Sequence, residues 1–225
     1  MYALAMLLLA RSYNRMIVEL VCDKCDPSLA LGVMRQADRS PLLGVFVNRS
    51  VETVAAVLNC MMLEGREDEA RQAMKNLELH SKAWEYRRTV LLCMYHFMKK
   101  DPMEIDKEYG QLGKYAAAGY LDARQNFKWM HDMQRLTELE DLYDYTRDPE
   151  EKQRCRLELM ALLEEKVRFS GNKSQKLQMM FRMAQIELKE EEYDRAAERL
   201  MEIAGEGNTL GVAGQAQQLL ARLSR

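Results

Sequence analysis

Apolar residues recur along this chain every three or four positions, which is the spacing of α-helices that bury one face. The breaks between these stretches are short, and they carry helix start signals. The dipeptide Asp-Pro occurs at 26–27, 101–102 and 148–149. Its aspartate suits the N-cap and its proline suits the first helical position. The pattern therefore predicts a chain of consecutive helices.

About ten or eleven helices are predicted, with no strands. Their approximate bounds are 2–21, 27–37, 51–64, 67–79, 82–99, 149–169, 174–189, 192–204 and 209–223. A further helix is expected to start at Pro102. Ser50 and Ser81 are expected to cap the helices that follow them.

Two regions have a less regular pattern. Residues 120–145 are expected to hold two helices, one over 120–130 and a short acidic one over 136–145. Residues 38–48 contain a proline and a glycine, so we expect a loop there.

The composition supports an all-α fold. Of 225 residues only 4 are proline and 11 are glycine, too few turn formers for an all-β protein. Apolar residues (48%) and charged residues (30%) have the balance of a folded chain rather than a disordered one. The net charge of −2 gives no electrostatic basis for binding nucleic acid, which calls for a basic face.

The five cysteines are scattered along the chain and odd in number. Reduced thiols in a reducing compartment explain this most simply, so we expect a cytoplasmic protein. Cys22 and Cys25 have the spacing of half a zinc site, but no second Cys or His pair follows at a suitable distance. We therefore predict no metal ion and no cofactor.

Residues 51–79 and 177–205 are two copies of one predicted helical hairpin. The matched positions are Leu58 and Ala184, Asp68 and Asp194, Ala70 and Ala196, Met74 and Leu200, and Leu77 and Ile203. A hairpin of this size cannot bury its apolar face alone, so hairpins of this kind stack on their neighbours.

The hairpin at 177–205 resembles the tetratricopeptide repeat family, and the hairpin at 51–79 resembles it more weakly. The residues that carry the stronger resemblance are Ala184, Tyr193, Ala196, Leu200 and Ile203. The resemblance implies an α-solenoid of stacked antiparallel helix pairs, here a single domain over 1–225. Within it 174–225 is most similar to the family, and a sub-boundary is expected near 170–173.

The resemblance also implies a concave groove lined by the first helix of each hairpin. The residues expected to line it are Glu52, Asn59, Met62, Gln178, Phe181, Arg182, Gln185 and Lys189. Such grooves hold other proteins. Because no credible catalytic set accompanies the hairpins, we predict a non-catalytic interaction scaffold that binds a peptide or a partner protein.

Residues 2–10 form an almost wholly apolar run. A helix that spans a bilayer needs about 20 apolar residues, and Arg11 and Arg15 end this run well short of that. One interpretation is a first solenoid helix with an apolar end. A second is the end of a membrane span that precedes residue 1 and tethers the protein at the cytoplasmic face. A third is a helix that pairs between chains, either in a homodimer or, together with the last helix over Leu210–Leu223, in a self-assembling structural subunit.

The rival hypothesis is an all-helical enzyme or metal-binding protein centred on Cys93 and His96. These residues lie three apart and so share a helix face, where they could act as nucleophile and base or bind a metal ion. Their neighbours are apolar, however, which is typical of a core helix. A separate acidic cluster could bind a divalent ion or a basic partner, or form a solvated helix face. It consists of Glu138, Glu140, Asp141 and Asp144.

Overall fold

The computed structural model describes residues 2–40, 51–77, 81–120 and 122–224. These residues form eleven helices and no strand, which confirms the prediction of an all-α fold. The helices are Tyr2–Cys22 (α1), Pro27–Arg39 (α2), Val51–Leu63 (α3), Glu67–Asn76 (α4), Lys82–Met98 (α5), Pro102–Ala117 (α6), Ala123–Tyr145 (α7), Pro149–Arg168 (α8), Lys173–Lys189 (α9), Tyr193–Glu206 (α10) and Gly211–Leu223 (α11).

The predicted start and stop signals act as expected. Asp26 caps α2 by accepting a hydrogen bond from the Leu29 amide at 2.9 Å. Asp101 and Ser81 cap α6 and α5 in the same way. Gly65 lies two residues after the end of α3 with φ +85°, a left-handed conformation that favours glycine. The predicted cap at Ser50 lies outside the described residues.

The prediction of two helices between 120 and 145 is wrong, because α7 is continuous over Ala123–Tyr145. The residues between the two expected helices, 131–135, include neither proline nor glycine. Met133 and Leu136 are buried, so packing supports the helix through the expected break. The first residues of the predicted loop at 38–48 belong to α2, which extends to Arg39. Residues 41–48 of that predicted loop lie outside the described part of the chain.

The described residues fall into two compact units. Unit 1 takes in Met1–Glu67 and Glu164–Arg225, and unit 2 takes in Asp68–Leu163. The two helices of the weaker predicted hairpin therefore belong to different units, with α3 in unit 1 and α4, from Asp68 onward, in unit 2. The single-domain organisation stays a prediction.

Unit 1 is built around α9. Helices α1, α10 and α11 pack against α9, and α2 packs between α1 and α3. The stronger predicted hairpin is the pair α9 and α10, whose matched alanines, Ala184 and Ala196, are fully buried. Buried Glu187 of α9 also accepts hydrogen bonds from Nε of Arg199 in α10, at 2.8 and 3.0 Å to its two carboxylate oxygens.

Unit 2 packs α5, α6 and α7 together. Its buried core includes Tyr86, Cys93, Leu112, Ala123 and Met130. Helix α4 is joined to α5 through Asp68, whose carboxylate accepts hydrogen bonds from the Tyr95 hydroxyl and the Lys99 ammonium, both at 2.9 Å. These bonds, first from Lys99 and then from Tyr95, lower the pKa of Asp68.

A polar cluster joins the start of α2 to the turn between α10 and α11 within unit 1. The Thr209 hydroxyl donates to Asp26 at 2.9 Å and accepts from the Ser28 amide at 3.2 Å. The Asn208 side chain also donates to Asp26, at 3.2 Å. Ser28 in turn donates to Glu64 at the end of α3. The bonds made by Thr209 and Asn208 connect segments about 180 residues apart in the sequence.

The same region requires a glycine at the first position of α11. A methyl group at Gly211 would lie 2.8 Å from the backbone nitrogen of Gly65 and 3.0 Å from its Cα. Because the neighbouring atoms are backbone, a side chain can be accommodated only if the two segments separate.

We predict that Gly211→Ala destabilises the protein by about 1–3 kcal/mol, the range for overpacking a tight contact. The matched control is Gly214→Ala in the same helix, where an added methyl group meets nothing within 4 Å. This control should stabilise the protein by about 0.5–1 kcal/mol, since alanine is the better helix former. Urea unfolding measures both effects. Equal stabilisation by the two substitutions would show that the contact with Gly65 is unimportant.

Candidate interaction site

A cavity of about 180 Å³ opens between α1, α2 and α3 of unit 1, and we call it the α1–α3 notch. It is lined by Tyr13, Asn14, Ile17, Val18, Met34, Glu52, Thr53 and Ala56. Most of these lining residues are apolar or aromatic. The polar lining residues Asn14 and Glu52 are exposed to solvent.

The notch results from the way α1 packs. Tyr13, Ile17 and Val21 lie four residues apart on one stripe and are all buried in the core of unit 1. Val18 lies beside this stripe and remains 58% exposed. The buried stripe thus fixes α1 on the core, while Val18 forms part of the open edge of the notch.

Tyr13 lines the notch and carries an unsatisfied donor. Its hydroxyl oxygen is shielded from solvent and has no hydrogen-bond partner within the part of the chain that the structure describes. Burial, and secondarily the nearby Cys60, raises the pKa of Tyr13, so the phenol stays protonated. A buried donor without a partner costs about 1–3 kcal/mol. A ligand that places an acceptor oxygen here would recover part of that cost.

The size of the notch restricts what it can hold. Small-molecule sites usually measure about 300–1,000 Å³, so this cavity is too small for most metabolites. An apolar cavity of about 150 Å³ holds one benzene molecule. The notch therefore has room for a single bulky apolar group, such as one large side chain.

Four apolar side chains of α1 are exposed. Leu8, Leu9, Met16 and Val18 are all at least 40% exposed. They do not form one row, because Leu9 and Val18 are two and a half helical turns apart and so lie on opposite sides of α1. Of the four, only Val18 lines the notch.

The eight residues predicted to line a groove have different environments. Glu52 lies at the notch, and Lys189 is also exposed. Gln178, Gln185 and Asn59 are partly exposed. The remaining three, Met62, Phe181 and Arg182, are buried.

The burial around Phe181 has a clear geometric cause. Every residue from Met179 to Ala184 is buried, and six consecutive positions cover all sides of a helix. The middle of α9 is therefore enclosed, and its side chains there are inaccessible to a partner in this conformation. Sequence reasoning selected this helix by analogy, whereas the notch is lined by α1, α2 and α3. The four-residue spacing of Tyr13, Ile17 and Val21 was the available signal.

Cys93 and His96 do not form a reactive pair in this arrangement. Cys93 is fully buried in the core of unit 2, and burial, followed by nearby Glu108, raises its pKa to about 12. His96 is also buried, and burial lowers its pKa, with Asp101 acting in the opposite direction. A nucleophilic cysteine needs an accessible thiolate, and this position provides neither access nor ionisation.

The acidic cluster on α7, which lies wholly in the described part of the chain, does not form a metal site in this arrangement either. Glu140 is buried and pairs with Lys100 at 3.1 Å, while Glu138 and Asp144 are exposed. Burial, and then Glu140 and Asp144, raise the pKa of Asp141. Within the described ranges no group of three or more His, Cys, Asp or Glu side chains is arranged to hold a metal ion.

Comparison with known proteins adds no family assignment. No protein-family description, curated protein or solved structure matches this chain. A function must therefore be argued from the geometry of the notch and its surroundings.

The burial of the thiols gives a direct test of the structure around Cys93. All five cysteines lie in the described ranges as free thiols, and only Cys22 is partly exposed. We predict that iodoacetamide modifies Cys22 in the native protein, slowly because burial raises its pKa. Cys25, Cys60, Cys93 and Cys155 should react only after unfolding. Mass spectrometry of labelled peptides reads out each site, and Cys22→Ser supplies the control. Rapid labelling of Cys93 in the folded protein would reopen the catalytic hypothesis.

Proposed function

We propose that this protein is a non-catalytic, helical interaction module whose α1–α3 notch receives one bulky apolar side chain from a short segment of a partner protein. The observation that supports this most directly is a largely apolar cavity of side-chain size lined by Tyr13, whose hydroxyl has no hydrogen-bond partner within the described ranges. The proposed acceptor for that hydroxyl is a backbone carbonyl of the partner segment.

A protein segment fits the notch better than a free metabolite does. The cavity holds one apolar group, and exposed Val18 at its edge offers further apolar contact to an extended or helical chain. Peptide recognition of this kind combines an anchor side chain in a pocket with a few hydrogen bonds to the backbone. A small molecule that filled the notch alone would gain too little buried area to bind tightly.

The repeat resemblance supports the same class of function. In α9 and α10, Ala184 and Ala196 are fully buried where small residues would allow the two helices to approach closely. We therefore assign the chain to a divergent, tetratricopeptide-like helical solenoid as part of this proposal. Its free thiols favour a cytoplasmic location.

The test uses peptides selected by display of a random library on the immobilised full-length protein. We predict that selected peptides share one bulky apolar residue and bind through it. Val18→Glu places a charge at the edge of the notch and should weaken binding by roughly tenfold or more, because an unpaired charge is costly in an apolar contact. The matched control is Met201→Glu on α10, since Met201 is 57% exposed and Val18 is 58% exposed.

Tyr13→Phe isolates the proposed hydrogen bond. It should weaken the same peptides by about 0.5–1.5 kcal/mol, which is the usual net value of one such bond. Fluorescence polarisation measures these affinities, and circular dichroism confirms that each variant is folded. Peptides that bind equally to the Val18→Glu and Met201→Glu variants would refute the assignment of the notch.

A further inference from the structure

The first half of α1 has a composition unlike that of the other helices. Residues 2–10 are apolar or aromatic at every position, and nine residues make two and a half helical turns. Such a run leaves no polar side. A helix that is apolar all round is normally buried in a protein core or a membrane. Yet Leu8 is 56% exposed and Leu9 is 46% exposed.

The charges next to this run are all positive. Arg11 and Arg15 are exposed and lie four residues apart, on one helix face. No acidic residue occurs before Glu19. An apolar helix end followed by arginines complements a bilayer surface, where acyl chains lie beneath anionic headgroups.

The length of the run fits partial insertion. Nine helical residues measure about 14 Å, whereas a bilayer's hydrocarbon core is about 30 Å thick. Accordingly, none of the helices in the described ranges is both long and apolar enough to span a membrane. The run could reach into one leaflet only.

We propose that residues 2–10 of α1 insert into one leaflet of an anionic membrane, with Arg11 and Arg15 contacting lipid phosphates. This proposal concerns a different part of α1 from the notch and does not depend on it. A second copy of the chain would cover one side of the run only.

The experiment is co-sedimentation of the full-length protein with lipid vesicles. One set contains phosphatidylcholine alone, and the other contains phosphatidylcholine with phosphatidylglycerol. We expect clear binding to the anionic vesicles, weakened by high salt. Leu8→Glu/Leu9→Glu should abolish it. Arg11→Glu/Arg15→Glu should weaken it by roughly 30-fold or more, because each basic residue near an anionic surface contributes substantially to attraction.

Matched controls separate these effects from general changes in charge or apolarity. Arg124→Glu/Lys128→Glu makes the same charge change at exposed residues with the same four-residue spacing on α7. Leu29→Glu replaces an exposed leucine of α2 in the same unit, one that is 51% exposed. Both controls should bind vesicles like the parent protein.

A second measurement does not require loss of binding. Leu8→Trp should show a blue-shifted emission on anionic vesicles and be quenched by brominated lipids, relative to the parent protein with its two native tryptophans. Leu29→Trp should show neither effect. No vesicle binding by the parent protein would overturn the proposal. Equal vesicle binding by the Arg11/Arg15 and Arg124/Lys128 variants would also overturn it. A third contrary result would be a parent protein that binds no lipid and forms a dimer that Leu8→Glu/Leu9→Glu converts to monomer.

Discussion

The structure of unit 1 depends on a contact between the two ends of the chain. The segment around Asp26 and the turn at Thr209 meet although unit 2 lies between them in the sequence. Their hydrogen bonds each contribute about 0.5–1.5 kcal/mol, so they cannot provide most of the stability. Apolar burial does that, with Cys25, Ala30 and Leu210 almost completely buried in one cluster from both ends. The polar bonds instead define which residues face each other, because a small shift would leave Asp26 and Thr209 unpaired.

The same contact holds parts of two helices that border the notch. Asp26 caps α2 and also binds the turn before α11. The start of α2 is thereby held, and the Gly65–Gly211 approach holds the segment that follows α3. A cavity that the surrounding structure does not fill by relaxing costs stability.

Features that involve residues close together in the sequence could be predicted, and contacts between residues far apart in the sequence could not. The caps at Asp26, Ser81 and Asp101 are local, because each involves residues three positions apart. The continuity of α7 was missed because the periodic pattern weakens around 131–135 without a residue that actually breaks a helix. The pairing of Asp26 with Thr209 leaves no local signal at all. The accessibility of the residues on α9 also has no local signal, because it depends on which helices surround α9.

The two halves of α1 contribute different free energies. Burial stabilises the second half on the core, and the arginines that follow residues 2–10 attract the chain to an anionic surface. Tyr13, Ile17 and Val21 hold the second half on the core, and burying three such side chains contributes roughly 5–9 kcal/mol. Two arginines at an anionic surface supply only about 2 kcal/mol. The attraction of Arg11 and Arg15 alone is thus too weak to pull the second half of α1 from the core, and insertion of residues 2–10 does not require that half to leave it. In a membrane-bound molecule the notch would lie next to the lipid surface, because Asn14 and Val18 line it within one helical turn of Arg15. A partner that occupies the notch would then have to be present near the membrane.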